Sequence, residues 1–210
     1  VRHDATAQTA SFDIKSRILT LPIFKEMSKA LTDMMVGHEV GHAIWTPMEE
    51  WEIAITGDEP VNKNILNIVE DPRIERKVQR KYPGLRACFV TGYRELFDRG
   101  FFGEKAAAGA WDEMNILDRL NIHFKGGSSL GVCFADSELY LLRLIEKVET
   151  FDDAIRVTKE IMKHWNESEE PEPQEMKVPM SGDGDDGIEE GDSNFDRPGE
   201  PKDAGEGNCP

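Results

Sequence analysis

The 210-residue chain is long enough for one substantial core, alone or with a tail. It carries 41 acidic against 25 basic residues, a balance that disfavours nucleic acid and anionic membranes as partners. The excess is uneven: Asn166 to Pro210 holds 15 Asp and Glu against 3 Lys and Arg, so 12 of the 16 net negative charges lie there and the first 165 residues carry only −4.

Residues 10 to 22, "ASFDIKSRILTLP", alternate apolar and polar positions and are rich in β-branched residues, which predicts one strand or a tight hairpin ending at Pro22. From about Phe24 the period becomes helical through Met27, Leu31, Met34 or Met35 and His38, with Ser28 or Thr32 able to cap and Pro47 ending the run. Residues 61 to 81 repeat the helical pattern, interrupted at Pro72, which predicts either a kink or a fresh helix capped by Asp71. Further helices are expected near Ala107 to His123, Ser137 to Val148 and Thr150 to Trp165, with a loop "KGGSSLGVCFAD" between the first two. Residues 1–165 are thus expected to form a mostly helical α+β unit with a small N-terminal β element. Residues 166–210, dense in Pro, Gly, Asp and Glu and poor in large apolar side chains, are expected to be a disordered acidic linker or tail.

Cys88, Cys133 and Cys209 are widely spaced, with no CxxC pair, which argues against a disulfide framework or a cysteine-built zinc site and predicts a reducing, cytoplasmic setting. No apolar run approaches about 18 residues and no signal pattern opens the chain, so neither a membrane span nor secretion is expected. Because it begins at Val and stops in low-complexity sequence, the chain is expected to be one piece of a longer protein.

Chemistry concentrates in "MMVGHEVGHAIWTP", residues 34 to 47. Residues four apart on a helix share a face, so His38 and His42 can present both imidazoles to one ion, a spacing that suits zinc. Glu39, one residue's rotation aside, is placed to act as general base on a water molecule rather than as a ligand. Gly41 leaves room for close packing. A third ligand is needed from another element, and "NIVEDPRIE" offers adjacent acids: Glu70 is the expected ligand, with Asp71 supporting a histidine, and the reverse assignment of the two is the second choice. The alternative for this segment is a salt-bridged surface helix, since Arg73, Glu75, Arg76 and Lys77 surround the acids. Tyr93, Arg94 and His123 have the chemistry of an oxyanion donor, though no spacing singles one out.

Taken in order, "FDIKSRILTLPI", "VGHEVGHAIWTP" and "LNIVEDPRIER" resemble the zincin-type metallopeptidase domains attached to von Willebrand factor A domains, over roughly residues 10 to 82. Similar domains occur in bacterial cobalt-chelatase-like subunits and in proteins of large tailed phages. The resemblance implies a gluzincin-like α+β domain with Zn2+ held by His38, His42 and Glu70, with Glu39 as catalytic base and a peptide or protein as substrate. It also implies that the strand before the motif helix is an edge able to hold an extended peptide. A von Willebrand factor A-type domain beyond the acidic linker is the implied partner. Two departures are visible: Pro72 follows the acidic pair, and no such domain lies within the chain. A different class of function, a non-catalytic zinc-stabilised scaffold in a phage or ATPase-partnered assembly, is compatible with the same motifs.

Overall fold

A computed structural model of the chain describes residues 1–7, 10–13, 16–23 and 26–167. The expected acidic tail lies outside these residues from position 168 onward. The described part is mostly helical with one small sheet, as the sequence pattern implies.

Three strands open the chain: β1 (Arg2–Asp4), β2 (Ser11–Asp13) and β3 (Ile18–Pro22). β2 and β3 form an antiparallel hairpin, the second of the two arrangements expected for residues 10 to 22, with Phe12 opposite Leu19. β1, which the sequence reading did not anticipate, adds in parallel to the other side of β3, giving the order β1-β3-β2. The strand before the motif helix is therefore central, and its expected role as a peptide-binding edge is corrected: both its sides are already hydrogen-bonded.

Helix α1 (Lys29–Trp45) begins where Ser28 accepts from the Leu31 amide. Pro47 both ends it and opens α2 (Met48–Thr56), a helix the pattern missed, which buries Trp51 and Ala54. Helix α3 (Lys63–Lys81) is capped by Asn62 and runs through Pro72 as one element. Of the two outcomes open at Pro72, the fresh start does not occur. Helix α4 (Arg86–Asp98) follows a short 3-10 turn. The long helix expected near Ala107 to His123 is instead split into α5 (Glu104–Ala107) and α6 (Ile116–Gly126). Gly109, at a φ of +68°, breaks the run, and the Asn115 side chain caps α6 by accepting from the Asp118 amide. Helices α7 (Leu139–Glu146) and α8 (Phe151–Glu167) complete the described chain. At the start of α8 the Thr150 hydroxyl accepts from the Asp153 amide while the Asp153 carboxylate accepts from the Thr150 amide, a reciprocal cap encoded in the run Thr150-Phe151-Asp152-Asp153.

Two apolar clusters form the core. One joins α2, α3, α6, α7 and α8 through residues such as Leu66, Leu120, Leu141 and Ile161. The other joins the sheet, α1 and α4 through Leu21, Leu31, Met34, Phe89 and Leu96. Helix α3 lies at their seam, and every residue from Ile65 to Glu75 is buried, which overturns the surface-helix alternative. Such a helix carrying Glu70, Asp71, Arg73 and Glu75 is stable only where each charge finds a partner, because an unpaired buried charge costs several kcal/mol.

The approach of α1 to α3 depends on Gly41. A Cβ there would lie 2.8 Å from Ile74 Cδ1 and 2.9 Å from Val78 Cγ2, closer than side chains pack. Gly92 does the same for α4, where a Cβ would meet Met34 Cβ at 2.9 Å. Among the described residues no helix is long and apolar enough to cross a membrane.

Candidate metal centre

Because α1 is helical through both histidines, His38 and His42 lie one turn apart and meet edge to face, with ring centroids 4.8 Å apart. Across the narrow gap left by Gly41, α3 presents Asp71. Its Oδ1 lies 3.2 Å from His42 Nε2 and 3.9 Å from His38 Nε2, and one ligand atom from each of the three residues falls within 4.8 Å of the others. All three are at most 2% exposed.

The far side of each ring is held. His42 Nδ1 is 2.9 Å from Thr46 Oγ1, and Thr46 gives its single hydroxyl hydrogen to Glu70 Oε1 at 2.6 Å. With that hydrogen committed, the Thr46 oxygen can only accept, so Nδ1 of His42 carries the ring proton and Nε2 presents a lone pair. His38 Nδ1 likewise lies 2.9 Å from Glu75 Oε1, which also accepts from the Tyr93 hydroxyl. His38 Nε2 has no hydrogen-bond partner. In their neutral tautomers the two rings turn nitrogen lone pairs toward a carboxylate oxygen, an arrangement relieved by a shared cation, whether a metal ion or, across the 3.2 Å contact of His42 Nε2 with Asp71 Oδ1, a second ring proton. Around the rings the buried carboxylates Glu39, Glu70, Asp71 and Glu75 outnumber the buried cations Arg73 and Lys125 by two when Glu39 is ionised and by one when it is protonated. A divalent ion would balance that excess, and two imidazoles with one carboxylate are a donor set zinc accepts. The residues fit a metal.

The sequence-based ligand set needs one correction. Glu70 does not face the rings: Arg73 clamps it through Nε at 2.7 Å and Nη2 at 2.6 Å, and it reaches His42 only through Thr46. Asp71 takes the position expected of Glu70, and Glu70 the supporting position expected of Asp71. Adjacent helical residues point about 100° apart, so only one of them can face α1. The Arg73 signal was legible as an i,i+3 pair with Glu70, whereas Thr46, Glu75 and Lys125 carried no local sign of their roles.

Burial alone would raise the Asp71 pKa, but the Lys125 ammonium, with Nζ 2.7 Å from Oδ2, and the two imidazoles hold it well below the usual carboxylate range. Glu39, wholly buried, has no hydrogen-bond partner for either carboxylate oxygen. Desolvation pushes its pKa from 4.5 up to about 8; His42 opposes the shift and the Asp71 charge adds to it. Of the possible oxyanion donors, Tyr93 spends its hydroxyl on Glu75, and burial followed by the Glu75 and Asp71 charges drives its pKa well above 10. Arg94 is exposed. His123 is lodged against Phe124 and Phe134, and burial lowers its pKa. Asn67, one turn before Asp71 on the same face of α3, was not anticipated: it is buried and neither end of its amide has a partner.

The Glu39 environment has a measurable consequence in the metal-free protein. Between pH 4.5 and about 8 the folded state keeps a proton that the unfolded chain has released. This group's contribution to stability is therefore expected to fall with rising pH by about 1.4 kcal/mol per unit across that window. Urea unfolding of wild type and Glu39→Gln should diverge between those limits, with wild type losing stability more steeply. Parallel pH profiles would show that Glu39 is solvated.

No family model matches the chain, and no match was found among curated proteins or solved structures. The class rests on the molecule itself: a mostly helical α+β domain with a buried His-His-Asp group able to hold a metal ion.

Proposed function

We propose that the chain is a zinc-dependent metallopeptidase domain in which His38, His42 and Asp71 hold the ion and Glu39 is the general base. The observation that carries this reading is Glu39 itself, a buried carboxylate with no partner beside three converging ligand atoms. A site serving only to stabilise the fold has no use for such a group, which is costly to bury unbonded. Zinc bound there supplies Lewis-acid chemistry, acidifying a water molecule and polarising the scissile carbonyl. A nearby divalent charge also favours the ionised form of Glu39. Glu39 takes the proton from water as the new C–O bond forms, then delivers it to the departing amine as the C–N bond breaks. Thr46 and Glu75 hold the imidazole tautomers throughout, and the Asn67 amide is an uncommitted donor for the substrate carbonyl. The motif order shared with zincin-type domains supports the same reading, and the von Willebrand factor A partner, phage setting and cytoplasmic location remain expectations from that resemblance and from composition.

One observation favours the scaffold alternative: the centre is enclosed, with Glu39 fully buried and its carboxylate near the backbone of Phe12 on β2. Peptide hydrolysis therefore requires β2 to give way and admit substrate to Glu39. Incubating the zinc-loaded protein with unfolded casein separates the readings. Fragments that disappear on chelation support the peptidase; intact casein beside stoichiometric, stabilising zinc supports the scaffold.

A further inference from the structure

The two oxygens of Asp71 are divided between different neighbours. Oδ1 faces both imidazole Nε2 atoms, whereas Oδ2 accepts from Lys125 Nζ at 2.7 Å. Lys125 comes from the last turn of α6, and this ion pair is buried on both sides, with side chains 3% and 2% exposed. The ammonium also sits 5.5 Å from the centroid of the Tyr93 ring, whose hydroxyl is fixed on Glu75, the residue that holds His38. A cation over an aromatic face and against a carboxylate is held from two directions.

We propose that Lys125 is a positioning residue that restricts Asp71 to coordination through a single oxygen, keeping a coordination position of the metal open. The inference rests on the metal reading of His38, His42 and Asp71. A carboxylate whose second oxygen is occupied by an ammonium cannot wrap both oxygens around an ion. Zinc sites expand readily from four to five ligands, so a freed Oδ2 would add as a fifth donor beside the water position and take the place that a substrate carbonyl needs. Lys125 thus separates a centre with an open corner from one closed by its own aspartate. It also supplies a positive charge beside Asp71 when no ion is bound, which keeps that buried carboxylate compensated.

Cobalt(II) in place of zinc reports coordination number through its visible absorption, intense for four ligands and weaker for five or six. Wild type and Lys125→Arg, which keeps a cationic donor for Oδ2, are expected to give the intense band. Lys125→Met, which keeps an unbranched stem without the charge, is expected to lose most of that intensity while still binding cobalt. Should Lys125→Met fail to fold by circular dichroism, Lys125→Ala frees the same oxygen and is read in the same way. An unchanged band in a folded, cobalt-loaded Met or Ala variant overturns the role of Lys125 and leaves the metal reading standing. A folded wild type that takes up no cobalt or zinc overturns both.

Discussion

Changing His38 or His42 to Ala is expected to reduce bound zinc from stoichiometric to background, with the strongest contrast arising at the two neighbouring acids. Asp71→Asn removes the charge that faces both Nε2 atoms and is expected to weaken zinc binding severely. Glu70→Gln keeps an acceptor for Thr46 and acts only through the outer face of His42, so its loss should stay within about 10–100-fold, the range typical of partners behind a ligand. It also weakens the clamp on Arg73, whose guanidinium is 4% exposed. Gln is therefore the informative choice: Ala would leave that cation unpaired at a cost of about 3–5 kcal/mol and confuse folding with binding. Metal analysis after gel filtration, with circular dichroism as the folding control, reads the result. Stoichiometric zinc in Asp71→Asn together with an empty Glu70→Gln would reverse the ligand assignment.

Glu39→Gln is expected to lower casein hydrolysis by about 10²–10⁴-fold, the range general acid–base catalysis supplies, with zinc content unchanged. Stability should move in the opposite direction from activity. Near neutral pH the metal-free variant is expected to resist urea better than wild type, because an amide replaces a buried acid whose ionisation burial opposes. That pairing separates a catalytic group from a merely structural one, whose removal would cost stability. Undiminished hydrolysis by the pure, zinc-loaded variant would remove Glu39 from the mechanism.

Both predictions draw on features of differing legibility. The histidine pair was readable because i,i+4 spacing on a helix is local geometry, and Ser28 and Pro47 mark the two ends of α1. The reciprocal cap at Thr150 and the hairpin of β2 and β3 were readable for the same reason. Helices α2 and α4 were missed: Pro47 looked like a terminus when it was also a start, and the aromatic run of "YRELFDRGFFGE" obscured the period of α4. β1 could not be foreseen, since three residues pairing in parallel with partners eighteen positions away leave no short-range pattern.

The sequence by itself determined that two imidazoles and a carboxylate beside them would share one helical turn, that an acidic pair would follow on a second helix, and that most of the chain would be helical. The tertiary structure alone decided which acid of the pair faces the rings. Helix α3 is buried on every side from Ile65 to Glu75, so no polar and apolar face tells its orientation. The choice falls to charges brought from afar: Arg73 and Thr46 draw Glu70 to one side, while Lys125, 54 residues away in the chain, draws Asp71 to the other. Buried charges settle where their partners are, and where those partners lie is a property of the packed helices rather than of any short stretch of residues.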